Sequence, residues 1–352
     1  MNKSIQDLKN EISTSSTYDF LRNDAFLKDN TLFLTLGGSY AYGTNVETSD
    51  IDLRGVVAPK FDEVLGFLNK KTPFEQFIDD QTDTVLYEFN KFIKLITSAN
   101  PNTIELLGTE PSMILYMSDE MQLIKDNIHL FLSQVAKFSF IGYASQQLDR
   151  LQNALARDVY PKDLKEEHIC NSINRAKIHL KTAYPAFEDD QLLIETKEID
   201  GQKQLILSSS IKEYPLRAFI DICSEMRNIV RNYDKLNHRN HKKDNNHLNK
   251  HAMHLIRLYL TGIDIFEKQQ IITYRKDNLT LLKSIRNGDF QKEDGSYGDD
   301  FYDLLRSLEK RFNYAVANTS LQELPDYAAI NELTYEINKR LFLKSIQKTT
   351  SI

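Results

Sequence analysis

Asp50 and Asp52 stand one residue apart, ten residues after the pair Gly38-Ser39. On a strand, carboxylates at i and i+2 project side by side from one face. Hard oxygen donors at that spacing suit Mg²⁺ carrying substrate phosphates, and Mn²⁺ would serve the same donors. Two such ions activate an attacking hydroxyl and neutralise a leaving pyrophosphate. Gly37 and Gly38 have no Cβ to keep a ligand from the backbone. A helix starting just after Ser39 would aim free N–H groups and its dipole at a phosphate. Gly38 and Ser39 are therefore expected at a nucleotide, and Asp50 and Asp52 at its metal ions. Arg54, next on the same strand face, either touches a phosphate or forms an ordinary ion pair with Asp52.

The elements that must position these residues are legible nearby. Thr31–Leu36 is a short apolar run with β-branched members, ended by Gly37-Gly38, as suits a buried strand and a turn. Residues 49–57 alternate strictly and predict a second strand. A third is expected over 83–88. A helix follows over about 89–98, with Phe89, Phe92, Ile93 and Ile96 at helical spacing and a stop at Asn100-Pro101. Beyond about residue 115 the period changes to 3.6. Helices are expected over about 120–155, 162–182, 212–236, 247–270, 278–287, 300–319 and 328–346. A hairpin over 192–210 is suggested by Asp200-Gly201 between apolar runs. The fold class expected is α+β, a small mixed-sheet head with helices over 1–115 and a C-terminal all-helical domain over 116–352.

Composition narrows the field. The chain has 352 residues, 41% hydrophobic and 27% charged, enough for a core and a length that suggests two or so domains. The net charge of −6 excludes a generally basic nucleic-acid binder. It hides polarity, because residues 227–257 hold eight Lys plus Arg and two acids, +6 locally against −12 for the remainder. Cys170 and Cys223 cannot form a disulfide framework, and no Cys-x-x-Cys pair offers a zinc ribbon. Two reduced cysteines, a polar N-terminal stretch and no apolar run of about 18 residues predict a cytoplasmic protein without a membrane span.

The stretch Leu36-Gly-Gly-Ser39 followed by Asp50-Ile-Asp52 resembles the nucleotidyltransferase superfamily that includes DNA polymerase β: a hydrophobic residue, Gly-Ser, about ten residues, then Asp-x-Asp. Leu36, Gly38, Ser39, Asp50 and Asp52 match it position by position. The segments DTVLYEFNKFIKLITSANPNTIELL at 83–107 and KHAMHLIRLYLTGIDIFEKQQIITYRKDNLTLLKSIRNG at 250–288, with Ser-Asp-Ile-Asp-Leu-Arg-Gly, are similar to the RNA-repair-associated family encoded beside RNA ligases and in phages. The resemblance spans about 30–290 and leaves the N-terminal stretch and the tail outside.

The resemblance implies a minimal nucleotidyltransferase head with a helical domain. It also implies a third carboxylate on a neighbouring strand, for which Asp83 is the choice and Glu88 the runner-up. Asp83 would then serve both the metal and the acceptor hydroxyl. Lys250, His254 and Arg257, at i, i+4 and i+7 of one helix, would hold the triphosphate, the alternative being a solvated basic face. The implied partners are an NTP and an RNA end as acceptor, with no membrane and no oligomeric state specified. Nucleotidyl transfer to a protein or small molecule, and a nucleotide-binding module without catalysis, are the other readings. Five of the eight histidines lie between His238 and His254, where a polar loop over 237–246 is expected rather than a metal cluster. Glu105 is expected to make a structural hydrogen bond or ion pair, and Tyr40 and Tyr42 to pack beside the Gly-Ser turn.

Overall fold

The computed structural model describes residues 4–65, 74–158, 166–167, 169–174, 192–235 and 245–350. His238, His241 and most of the polar segment containing them lie outside these residues, as does most of the helix expected over 162–182. Contacts divide the chain into two compact units. One holds Met1–Ala144, Ile256–Ser284 and Asp303–Ile352, and the other Ser145–Leu255 and Ile285–Tyr302.

The first unit opens with α1 (Ile5–Thr14). Ser4 Oγ accepts the Asp7 N–H at 3.1 Å and the Asp7 carboxylate accepts the Ser4 N–H at 3.1 Å, a reciprocal cap that satisfies two helix-start donors. α1 buries Leu8 and Ile12. The short helices α2 (Asp19–Asn23) and α3 (Leu27–Asn30) lead into β1 (Thr31–Leu36). After β1 come α4 (Gly38–Tyr42), β2 (Leu53–Val57), α5 (Phe61–Leu65), β3 (Gln76–Asp79) and β4 (Thr84–Glu88). Next are α6 (Phe89–Thr97), α7 (Pro101–Leu107), β5 (Ile114–Met117) and α8 (Asp119–Asp126).

The five strands form a mixed sheet in the order β3-β4-β2-β1-β5. β1 runs antiparallel to both β2 and β5, β2 parallel to β4, and β3 antiparallel to β4. β1 is buried from Leu32 onward on both faces, which is why it reads as a continuous apolar run. One face packs Leu34, Leu36, Leu53 and Val57 with Leu8, Ile12 and Leu27 of the N-terminal helices. The N-terminal stretch is thus part of the core of the head.

α6 follows β4 without a loop. The Glu88 carboxylate caps it, accepting the N–H of Asn90 at 3.0 Å and of Lys91 at 2.8 Å. Its apolar face buries Phe89, Phe92, Ile93 and Ile96, worth roughly 1.5–3 kcal/mol each. Asn100 and Pro101 end this run and start α7, with Asn100 Oδ1 accepting the Asn102 N–H at 3.0 Å.

The later helices are α9 (Ala136–Asp158), α10 (Leu216–Lys235), α11 (Asn245–Lys268), α12 (Leu279–Asn287), α13 (Asp299–Asn318) and α14 (Tyr327–Thr350). The helix expected over 120–155 is two helices, because Asn127 ends α8. In the first unit, Gly262 lets Phe312 approach α11, and Tyr259 and Phe266 meet the Phe312 ring edge-on at 5.9 and 5.4 Å. The second unit holds the expected hairpin, β6 (Leu192–Ile199) and β7 (Gln202–Ser209). Asp200 and Gly201 both take positive φ, as a two-residue hairpin turn of this hand requires. The C-terminal region is therefore helical with one hairpin, not wholly helical. Among the described residues, no helix is long and apolar enough to cross a membrane. Both cysteines are free.

Candidate active site

The site is built where β1 ends. Gly37 closes the strand, and its N–H donates to the Asp52 carbonyl at 2.8 Å, carrying the β1–β2 ladder one residue further. Gly38 takes φ +52 and opens α4, two residues earlier than the sequence suggested. A Cβ at Gly38 would stand 1.7 Å from Asp52 Oδ2, so only glycine fits against that carboxylate. No side chain caps the start of α4. The first amides of a helix have no partner within it, and here they belong to Gly38, Ser39 and Tyr40.

The return to β2 is a turn, with Val46 N–H to Ser49 Oγ and Ser49 N–H to the Val46 carbonyl, both 2.9 Å. It delivers Asp50 and Asp52 to the same end of the sheet. The strand begins at Leu53, so both carboxylates precede it, where alternation had suggested a strand from residue 49. Asp50 is exposed and Asp52 is half-buried.

Asp83 lies just before β4, which pairs in parallel with β2 through Leu53 and Thr84. The β3–β4 turn is tied by Asp79, whose carboxylate accepts Thr82 Oγ1 at 2.6 Å and Thr82 N–H at 3.2 Å. Asp83 follows at φ +45, a left-handed conformation that aspartate tolerates better than most residues. Glu88, the runner-up, spends its carboxylate on the cap of α6 at the far end of β4.

Arg54 joins the acids. Its Nη2 donates to Asp83 Oδ1 at 3.0 Å and Asp52 Oδ1 at 3.4 Å. Its Nη1 donates to the Leu53 carbonyl at 2.9 Å and also to the Asp83 carbonyl. The side chains of Arg54, Asp52 and Asp83 are 23%, 16% and 57% exposed. Gly38, Asp52, Arg54 and Asp83 are thus one cluster. Asp50 and Asp52 are hard oxygen donors beside a turn cleared of side chains, a set that fits a divalent cation. Among the described residues, no group of three or more His, Cys, Asp or Glu is already gathered for a metal.

A second cluster holds the other end of α4. Tyr42 Oη donates to Glu105 Oε2 at 3.1 Å, and Arg257 pairs with the same carboxylate through Oε1. The Arg257 guanidinium lies 3.7 Å from the centre of the Tyr42 ring. Arg257 and Glu105 are buried. Burial works against the Arg257 charge, yet Glu105 and Tyr42 outweigh it and hold the guanidinium more firmly protonated than usual. Burial foremost, helped by Glu105, holds the Tyr42 proton on as well. The expectation that Arg257 meets a triphosphate is therefore corrected: its charge is committed to Glu105 inside the core. Glu105 makes the structural ion pair expected of it. Tyr42 packs as expected, but the sequence hid its partners, since nothing local distinguishes a core tyrosine from one stacked on a distant arginine. Lys250 is exposed and His254 half-buried on the part of α11 that belongs to the second unit.

Residues 2–165 match the family model RlaP, the RNA repair pathway DNA polymerase beta family. The matched RlaP segment contains the turn, the carboxylates, Arg54 and Glu105. It takes in the N-terminal helices, outside the resemblance over about 30–290, and stops before the segment 250–288. An uncharacterized 38.9 kDa protein in the nrdC-mobD intergenic region of Enterobacteria phage T4 is 28% identical over 122 residues. That alignment covers 32% of this chain and 36% of the phage protein, so the chain spans about a third of that curated relative. No solved structure matches the chain.

Proposed function

We propose that the chain is a metal-dependent nucleotidyltransferase that moves a nucleoside monophosphate from an NTP to the hydroxyl of an RNA end. The observation that carries this reading is the contact of Gly38 with Asp52. It joins an anion-receiving turn and a carboxylate cluster into one piece, as phosphoryl chemistry on a bound nucleotide needs.

The amides of Gly38 and Ser39 receive phosphate oxygens, and Arg54 supplies a cation beside them. Asp50 and Asp52, with Asp83, are the residues that would hold Mg²⁺ or Mn²⁺, which supplies charge neutralisation at the phosphates when bound. Asp83 orients the acceptor hydroxyl and takes its proton. The hydroxyl oxygen bonds to the α-phosphorus, the bond to the bridging oxygen breaks, and pyrophosphate leaves. Arg257 acts indirectly, by fixing Tyr42 and with it α4.

Incubation with labelled NTPs, Mg²⁺ or Mn²⁺, RNA and protein acceptors tests the reading. Label should appear on RNA with release of pyrophosphate, and Asp52→Asn should lower the rate by about 10³-fold, several kcal/mol of lost charge stabilisation. Label on a protein instead would replace the acceptor class. Absence of pyrophosphate release under every condition, with NTP binding unaltered in Asp52→Asn, would overturn the reaction class.

A further inference from the structure

Arg54 bridges two carboxylates of the site. Its Nη2 lies between Asp52 Oδ1 and Asp83 Oδ1, and Nη1 is anchored on two backbone carbonyls, those of Leu53 and Asp83. Two carboxylates that share one cation repel each other once it leaves, so the cation can be exchanged for another but not simply removed. The three side chains keep access to solvent, so exchange requires no unfolding. The Arg54 stem also lies under the turn, where a Cβ on Gly37 would stand 2.8 Å from Arg54 Cγ. A guanidinium released from the carboxylates thus stays on a stem packed against the turn, and a planar fork suits phosphate oxygens.

We propose that Arg54 is an exchangeable counter-cation that couples metal binding to nucleotide binding. A divalent cation and Arg54 compete for Asp52 and Asp83, and a nucleotide phosphate draws Arg54 away from them. The divalent cation and the nucleotide then strengthen each other, because each removes the competitor of the other. This rests on the nucleotidyltransferase reading given above and adds a role that the reaction class alone does not specify.

The test is Mn²⁺ titration of the full chain by electron paramagnetic resonance and calorimetry, with and without a non-hydrolysable NTP analogue. It compares wild type, Arg54→Gln, Arg54→Lys and Asp52→Asn, with thermal melts to establish folding. Without nucleotide, Arg54→Gln should bind Mn²⁺ roughly tenfold more tightly, the scale of one or two partly exposed ion-pair contacts. The analogue should tighten Mn²⁺ binding in wild type and much less in Arg54→Gln. Arg54→Lys, which keeps the charge but not the fork, should fall between. Unchanged or weaker Mn²⁺ binding in folded Arg54→Gln, with Asp52→Asn still losing the metal, would overturn the coupling and leave the reaction class standing. If Asp52→Asn binds Mn²⁺ as wild type does, the metal reading and the coupling fall together.

Discussion

At the start of α4, Arg54 holds two carboxylates within reach of solvent, the half-buried Asp52 and the exposed Asp83. At its end, Arg257 holds one carboxylate in the interior. Both clusters are arginine–carboxylate ion pairs, and both lean on the same five-residue helix. They differ in water. Around Arg54, solvent reaches Asp83 freely and Arg54 and Asp52 in part, so the contacts are screened more than those of Arg257. Around Arg257, loss of either partner strands an uncompensated charge in the core. The contrast matches the proposed tasks: the cluster open to solvent through Asp83 is the one proposed to exchange its cation, and the buried one fixes Tyr42 at the end of α4.

The strongest way to break this contrast is Arg257→Met. It should cost about 3–5 kcal/mol in urea unfolding, while Glu105→Leu combined with it should recover much of the loss. Arg54→Met, measured in the same way, should cost less than about 1 kcal/mol. Equal losses for the two single variants would end the distinction. Gly38→Ala comes next. The left-handed backbone alone costs about 1–2 kcal/mol, and the new methyl must also push Asp52 aside, so the transfer rate should fall more than stability does. A variant with full activity would show that Asp52 need not hold its place.

Tyr42→Phe is the most conservative substitution. It keeps the ring under Arg257 and removes one hydrogen bond to Glu105, for about 1 kcal/mol at neutral pH. Burial raises the Tyr42 pKa above its ordinary 10.0. Its neutral form is thus favoured in the folded protein, and the stability linked to that proton is lost as pH rises past 10. The gap between wild type and Tyr42→Phe should narrow there. A gap that stays constant from pH 8 to 11 would mean the Tyr42 proton is not linked to folding.

How much was legible follows from range. β1, β4, the start of α6 and the Gly-Ser to Asp-x-Asp spacing are local patterns, and the structure has them where the sequence put them. β3 and β5 are four-residue edge strands, too short to show a period, and only pairing with β4 and β1 makes them strands. α1 carries a capping box, but its two buried residues, Leu8 and Ile12, are set in a polar stretch. Asp83 was found as the acid opening a strand. Its tie to Arg54 needed the parallel β2–β4 pairing. Arg257 was misassigned because its helix looks basic, and a helix pattern does not reveal that a single position turns inward to a distant acid.

The pairing of Glu105 with Arg257 also sets a schedule. The two residues are 152 positions apart. At about 5–20 residues per second, a ribosome adds Arg257 about 8–30 s after Glu105. Through that interval the strands around the candidate site can already be present while the seat of Glu105 lacks its cation. Completion of the platform under α4 is thus deferred until late in synthesis, and a fragment cut after the sheet would carry the candidate-site carboxylates on a base that never closes.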